Sequence, residues 1–286
     1  MKTVLYTALA LLAFAGNSVL CRHALSDGSI DAASFTVVRM LSGIVVLALL
    51  LLMTRSAGAQ KAKGSWKAAG FLFLYAAAFS YAFLSLDTGT GALILFGTVQ
   101  ITMILTGLAR GNKLLGLEWF GVLVAFSGFV YLVLPHLTTP SIKGFILMAI
   151  AGISWAFYTL NGMQSENPLS DTSYNFLRTL PLVLILLAVT FQTADLSSKG
   201  LVLAVASGGV TSGIGYAIWY RALPGLSTLQ AGILQLLVPV IAAAGGVAFT
   251  NEVISYHLLT SSLLIIGGIL AVILARTKTV TTQTDG

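Results

Sequence analysis

The sequence predicts an all-α integral membrane protein with ten transmembrane helices in two inverted five-helix repeats, and three observations predict it. The first is composition: the 286 residues are 57% hydrophobic and only 8% charged, with a mean hydropathy of +0.95. A soluble domain of this length cannot hide so much apolar surface from water. The second is the recurrence along the whole chain of apolar runs near the roughly 20 residues that cross about 30 Å of hydrocarbon. Helices suit that medium because they satisfy their own backbone polar groups. The third is the distribution of Lys and Arg, which sit in short loops and favour alternate loops.

The runs fall at 3–21, 32–54, 66–85, 90–110, 115–134, 142–162, 173–192, 199–220, 226–249 and 255–276. Turn chemistry separates them: Ser26-Asp27-Gly28, Arg55 to Gly64, Asp87 to Gly91, Gly111-Asn112-Lys113, Pro135 to Ser141, Asn167-Pro168, Ala194 to Lys199, Pro224-Gly225 and Thr250-Asn251-Glu252. Several of these breaks are so short that neighbouring helices must be antiparallel. Lys2 followed by an apolar run and Ala13-Phe14-Ala15 imitates a cleavable signal peptide. The run continues to Cys21, however, long enough to span, so the first helix is expected to stay uncleaved.

Ten spans put both termini on one side, together with Lys2, Arg55, Lys61, Lys63, Lys67, Arg110, Lys113, Arg221, Arg276 and Lys278. The other side carries Arg22, Lys143 and Lys199. The positive-inside rule then places both termini in the cytoplasm of a cell whose inner membrane the chain crosses. The net charge of +6 is a topology signal and forms no basic face for nucleic acid. Cys21, the only cysteine, allows no intrachain disulfide and no multi-cysteine metal site.

The halves resemble each other. Ser34-Phe35-Thr36-Val37-Val38-Arg39 opens the second run and Ser173-Tyr174-Asn175-Phe176-Leu177-Arg178 the seventh, about half the chain apart. Gly111-Asn112-Lys113 and Asn251-Glu252-Val253 repeat at nearly the same offset. With five spans in each half, 1–138 and 139–286, the second must insert upside down relative to the first.

The motifs of the second half resemble those of the EamA branch of the drug/metabolite transporter superfamily, and the resemblance extends over essentially the whole chain. Gly144-Phe145 to Trp155-Ala156-Phe157-Tyr158 is similar to that family's sixth helix, and Gly215-Tyr216-Ala217-Ile218-Trp219-Tyr220-Arg221-Ala222-Leu223 to its eighth. Gln235-Leu236-Leu237-Val238-Pro239-Val240, followed by Asn251-Glu252-Val253-Ile254-Ser255, resembles its proline-valine and glycine-glutamate signature. The first half departs from it, with Val99 near the proline position and Asn112 at the glutamate. The resemblance implies a ten-helix carrier, often an exporter, with a central cavity lined largely by helices 1, 3, 4, 6, 8 and 9.

A transport site needs a few polar groups near the bilayer midplane in an otherwise apolar wall. Ser212, Tyr216 and Trp219 stand at i, i+4 and i+7 and should project together. Gln100 and Gln235 lie deep in their runs, where an amide facing lipid costs several kcal/mol, so each must face protein or water. Asn17, Trp155 and Tyr158 complete the candidate substrate site. Against this stand interfacial, packing and structural hydrogen-bonding roles for the same residues. Pro239 removes a donor one turn beyond Gln235 and frees a carbonyl there, a candidate gating joint. Arg39 and Arg178 are set inside their runs; each either snorkels to the interface or binds an anionic group or a carbonyl.

The expected partners are a small-molecule substrate and the bilayer, with a monomer or homodimer as the unit; no cofactor, metal or nucleic acid is expected. The rivals are a membrane-embedded enzyme and a structural membrane protein. His23, His136 and His257 are scattered at helix ends, and no His-Glu-x-x-His pair occurs. No Asp, Glu or His lies deep in a run, so no buried proton relay is expected.

Overall fold

The computed structural model describes residues 2–26, 28–54, 64–86, 88–134, 141–250 and 256–284. Their secondary structure is helical throughout, apart from a single two-residue bridge between Ile30 and Leu196. The helices are α1 (Lys2–Ser26), α2 (Ala32–Met53), α3 (Trp66–Ala82), α4 (Thr88–Ala109), α5 (Gly116–Val133), α6 (Ile142–Gly162), α7 (Pro168–Arg178), α8 (Leu180–Thr190), α9 (Ser198–Ala206), α10 (Gly215–Ala222), α11 (Thr228–Leu234), α12 (Leu237–Thr250) and α13 (Tyr256–Thr284). Eight stretches are long and apolar enough to cross a membrane: Lys2–Leu25, Ala32–Met53, Thr90–Ala109, Gly116–Val133, Ile142–Gly162, Pro168–Thr193, Ser198–Gly225 and Tyr256–Ala275. Asp87, His136, the 55–63 loop and the Asn251 to Ser255 motif with Glu252 lie outside the described residues.

Most helix starts follow from capping. The orphan amides of a first turn need an acceptor. Asp31 takes the Ala33 and Ser34 amides at 2.9 and 3.0 Å, Ser65 that of Ala68 at 3.0 Å, and Ser141 that of Gly144 at 3.0 Å. Glu118, itself buried, reaches back to accept from the Leu115 amide at 2.8 Å. Ser227 and Gln230 cap reciprocally at the start of α11.

Three predicted single helices are interrupted. The seventh begins at Pro168, not 173, because Asn167 caps it and proline suits the first helical position. It then breaks at Thr179, ahead of Pro181, whose missing N–H cannot continue the ladder. The eighth passes through eight residues of π-helix, Ser207–Ile214, between α9 and α10. That wider turn rotates every later side chain relative to an ideal α-helix, yet Ser212 and Tyr216 still share a face, both bonding the Arg39 guanidinium. The ninth is broken, where a kink at Pro239 was expected. Gln235 and Leu236 leave the helix, and the Gln235 carbonyl, deprived of the Pro239 donor, accepts from the Val238 amide at 3.1 Å.

The helices pack through glycines. α5 lies against α13, where a Cβ on Gly121, Gly128 or Gly268 would fall within about 2.4 to 2.6 Å of the facing helix. α3 packs on α6, and α1 packs on the continuous rod from Ser198 to Ala222. α2 meets the π-helical part of that rod, Gly43 against Gly208 and Gly213. The outward faces are apolar: Val4, Leu52, Leu123, Ile185, Val202 and Leu263 are each more than half exposed. In water that surface would associate; in lipid it is at rest.

At Gly208 a Cβ would stand about 2.0 Å from both the Arg39 carbonyl oxygen and the Ser42 hydroxyl. Gly208→Ala therefore has to push the rod away from α2, at a cost of about 1–3 kcal/mol or more. Gly267→Ala, where nothing lies within 4 Å, serves as the control. Thermal unfolding in detergent should show a lowered midpoint for the first and an unchanged one for the second.

Candidate functional site

Within the bundle lies a narrow cleft of about 20 Å³. Its wall is Phe14, Asn17 and Ser18 from α1, Tyr75 and Phe79 from α3, Leu95 and Phe96 from α4, Trp155 from α6, Tyr216 from α10, and Gln235 at the α11–α12 break. The rings interlock. Trp155 lies 4.7 Å from Tyr216, 4.8 Å from Tyr75 and 5.2 Å from Phe14, centroid to centroid. Edge-to-face and tilted contacts of this kind contribute roughly 0.5–1.5 kcal/mol each beyond their area.

The polar groups form a chain across the bundle. Asn17 Oδ1 accepts from Ser207 Oγ at 2.7 Å, Thr211 Oγ1 at 3.3 Å and Ser212 Oγ at 3.5 Å. Ser212 Oγ in turn accepts from Arg39 Nε at 2.9 Å, and the Tyr216 hydroxyl from Arg39 Nη2 at 2.6 Å. Tyr216 then donates to the Tyr75 hydroxyl at 3.4 Å. The π-helix makes this chain: its extra residue per turn and its glycines bring Ser207, Thr211 and Ser212 between α1 and α2.

Snorkelling is overturned for Arg39. Its side chain is 1% exposed and turns inward, because the Gly43–Gly208 contact seats α2 directly on the rod. Its guanidinium carbon lies 5.4 Å from the Tyr75 ring and 5.8 Å from the Phe79 ring. Two charge-assisted hydrogen bonds, about 1.5–3 kcal/mol each, and two ring faces, up to about 2 kcal/mol each, offset a desolvation cost of several kcal/mol. Nη1 is buried and has no partner. Arg178, its counterpart in the other half, is half-buried between the Trp66 and Tyr174 rings at 5.8 and 5.7 Å.

The other predicted site residues divide. Asn17, Trp155, Tyr216 and Gln235 are on the cleft wall, and Ser212 stands behind it on Arg39. Gln235 is already engaged, its Oε1 taking the Trp155 indole N–H at 2.6 Å and its Nε2 donating to the Ala231 carbonyl at 2.8 Å. Trp219 is fully buried and points to α6, donating to Thr159 at 3.3 Å. Tyr158 is fully buried against Tyr220, 4.8 Å between rings. Gln100 is 3% exposed against Gly232 of α11, as an amide kept from lipid must be, but neither of its polar atoms has a hydrogen-bond partner. Tyr75, Phe79 and Phe14 are wall residues that the sequence reading missed. Tyr75-Phe79-Phe83, an aromatic stripe at helical spacing, was the available signal. Among the described residues no group of three His, Cys, Asp or Glu is placed to hold a metal.

Each end of the bundle carries a matching tie. At one end the Asp31 carboxylate accepts from the Asp195 amide at 2.9 Å, and the Asp31 amide donates to the Asp195 carbonyl at 3.0 Å. At the other, beyond the opposite end of α2, the Asp171 carboxylate accepts from the Gly64 amide at 2.7 Å and the Asn175 amide oxygen from the Ser65 amide at 2.8 Å. Burial pushes the Asp31 carboxyl up, but hydrogen bonds from Ser34, Asp195 and Ala33 outweigh it and hold its pKa below the usual carboxylate range. A depressed pKa means the tie is intact at neutral pH and is lost only as pH falls through that lowered value.

Fold and site together define a multi-pass α-helical membrane protein with a polar, aromatic-walled interior cleft. The chain belongs to the EamA-like transporter family, which matches residues 142–274. It is 47% identical over 274 residues to an uncharacterized protein of Pseudomonas aeruginosa, covering 96% of this chain and 95% of that one. To an uncharacterized transporter of Archaeoglobus fulgidus it is 27% identical over 282 residues, 94% and 96% of the two chains. A solved crystal structure of a protein shares the fold at a TM-score of 0.78 and 17% identity, over 96% of this chain and 97% of that one.

The Trp155–Gln235 bond ties α6 to the α11–α12 break. Gln235→Leu leaves a buried indole N–H unpaired and should cost about 1–3 kcal/mol. Trp155→Phe removes the donor too, so the double variant should be less unstable than the two single losses added together. Thermal unfolding of the four proteins in one detergent measures this; strict additivity would show that the bond does not hold the break.

Proposed function

We propose that this chain is a secondary transporter that exports a small amphipathic metabolite across the cytoplasmic membrane by alternating access, with the central cleft as its substrate site. The observation that carries the reading is a buried wall of hydroxyl, amide and aromatic groups inside a bundle whose outer surface is lipid-compatible. A structural bundle can also use interhelical polar pairs, but a carrier needs such groups gathered around one interior cleft.

The finer architecture we propose is ten crossings in two inverted repeats, 1–138 and 139–286. α3 and the α11–α12 pair supply the two crossings beyond the eight long apolar stretches. Three features support it. Asp31 and Asp171, 140 residues apart, make equivalent ties at opposite ends of the bundle, each to a loop of the other half. Arg39 and Arg178 follow at an offset of 139. The first helix of each half packs on the third of the other, α1 on the Ser198–Ala222 rod and α6 on α3, while α5 pairs with α13.

A cleft of about 20 Å³ has room for roughly one water, so a metabolite enters only when helices separate. The Asp31–Asp195 and Asp171–Gly64 ties are the contacts that part, one at a time, at the two ends. The π-helix and the breaks at Thr179 and Gln235 are the joints, since their backbone ladders are already interrupted. Asn17, Trp155, Tyr216 and Gln235 face the solute; Ser212, Trp219, Tyr158 and Gln100 shape the surrounding shell, and Pro239 keeps the α11–α12 joint open. Arg178 holds α7 at the interface. The unit is a monomer or homodimer with cytoplasmic termini.

A metabolite-wide comparison of cells with and without the protein tests transport without presuming a substrate. At least one small solute should shift several-fold from cell to medium, and Asn17→Leu should abolish the shift at unchanged protein abundance. No redistribution of any solute would overturn the reading. Reporter fusions after Lys63 and after Gly286 should both report cytoplasm, and a periplasmic signal at either would refute the ten-span topology.

A further inference from the structure

A guanidinium with no counter-ion is an unusual object inside a membrane bundle, where charges pair or face a pathway. Arg39 is 1% exposed. Its neighbours are the neutral hydroxyls of Ser212 and Tyr216 and the rings of Tyr75 and Phe79. Among the described residues no carboxylate bonds to it; the Tyr75 hydroxyl is near the guanidinium too, and the buried Nη1 makes no well-formed hydrogen bond. Tyr75, Phe79 and Tyr216 are at once its contacts and the wall of the cleft. The charge therefore stands one side chain behind the substrate site.

We propose that the cleft selects small organic anions, a carboxylate head on a flat apolar body, and that Arg39 supplies the charge that draws the head in. This rests on the cleft being the substrate site. An aromatic wall taken alone suits cations as well as flat neutral bodies; here the buried positive charge opposes a cation, and no Asp, Glu or His lines the described cleft to receive an ammonium group. The polar groups present are biased towards donation. The Asn17 oxygen is occupied by Ser207 and Thr211, which leaves its N–H groups for the cleft. The Tyr216 oxygen accepts from Arg39 and its single proton goes to the Tyr75 oxygen, which leaves the Tyr75 hydroxyl proton to donate. A carboxylate entering beside Tyr75 and Tyr216 receives these donors, and with a small shift of the Tyr75 ring it meets the free Nη1 of a planar fork shaped for it. The body then lies against Phe14, Trp155 and Phe96, the apolar part of the wall, once the helices separate.

Three probes with one body and different heads test this: 3-phenylpropanoate, its neutral amide, and 3-phenylpropylammonium. Binding to the purified protein in liposomes is read by tryptophan fluorescence at neutral pH. The carboxylate should bind at least tenfold more tightly than the amide, and the ammonium most weakly. In Arg39→Gln the advantage of carboxylate over amide should fall to near unity, a loss of selectivity between heads that a merely structural role, which would weaken both probes alike, would not produce. Equal or tighter binding of the amide or ammonium by the unaltered protein overturns the proposal, and so does a folded Arg39→Gln that keeps the tenfold preference, or no binding of the carboxylate up to millimolar concentration. The ranking on the unaltered protein decides the matter even if Arg39→Gln does not fold. Flux of the same probes into vesicles separates this from the transport reading: carboxylate-selective binding without any flux would overturn transport alone, and flux with ammonium preferred would overturn the anion site alone.

Discussion

The structure depends on holding the Arg39 guanidinium inside the bundle. The close approach of α2 to the rod at Gly43, Gly208 and Gly213 leaves a side chain at residue 39 no route to the interface. Once the charge is inside, its surroundings follow from electrostatics. Ser212 and Tyr216 must turn their oxygens to it, Tyr75 and Phe79 must present their ring faces, and Asn17 must gather the hydroxyls of the π-helix that frames it. α1, α2, α3 and the rod, drawn from both halves of the chain, are thereby bound through one polar chain.

That chain sits among the interrupted helices of the described residues. The π-helix, the break at Thr179 and the break at Gln235 interrupt helices that otherwise run the thickness of the bundle. By contrast, α5 and α13 pack closely through Gly121, Gly128 and Gly268, where no larger side chain would fit. A rigid pair on one side and jointed helices around the cleft are what a carrier needs, since packed interfaces move as units while interrupted ladders take up the change. In the proposed alternating access, the ties at Asp31 and Asp171 are the two ends that part. Each joins one half of the chain to a loop of the other through backbone amides.

Much of the fold was legible because lipid physics is simple. Length, hydropathy and capping residues mark the helices, and Asn167-Pro168, Ser141 and Ser227 stand where the structure starts a helix. The interruptions were harder. Pro239 announces a defect but not that the ladder opens at Gln235 and Leu236, which depends on the Val238 amide capturing the stranded carbonyl. The π-helix is written only as a run of Ser and Gly, a pattern equally suited to plain close packing. At the site, Asn17, Trp155, Tyr216 and Gln235 were readable as polar or amphipathic groups deep in apolar runs. Trp219 shares the Phe14 contact with Tyr216, but its indole N–H goes to Thr159 outside the cleft wall, a partner that helical spacing alone does not reveal. The inward turn of Arg39, and the outward lodging of Arg178 between two rings, were open because matched positions in sequence do not fix which helix packs closer; that is decided by Gly208, 169 residues away from Arg39.

The central claim is that the cleft beside Arg39 is reached from both sides of the membrane in turn. Cys21 is the only cysteine and is buried, so a Cys21→Ala background carrying Ser18→Cys places a single thiol on the cleft wall. Its reaction with a membrane-impermeant thiol reagent, added separately to right-side-out and inside-out vesicles, is the most direct test. The account predicts labelling from either side, slowed several-fold by 3-phenylpropanoate. Labelling from neither side, or from one side only under every condition, would contradict it.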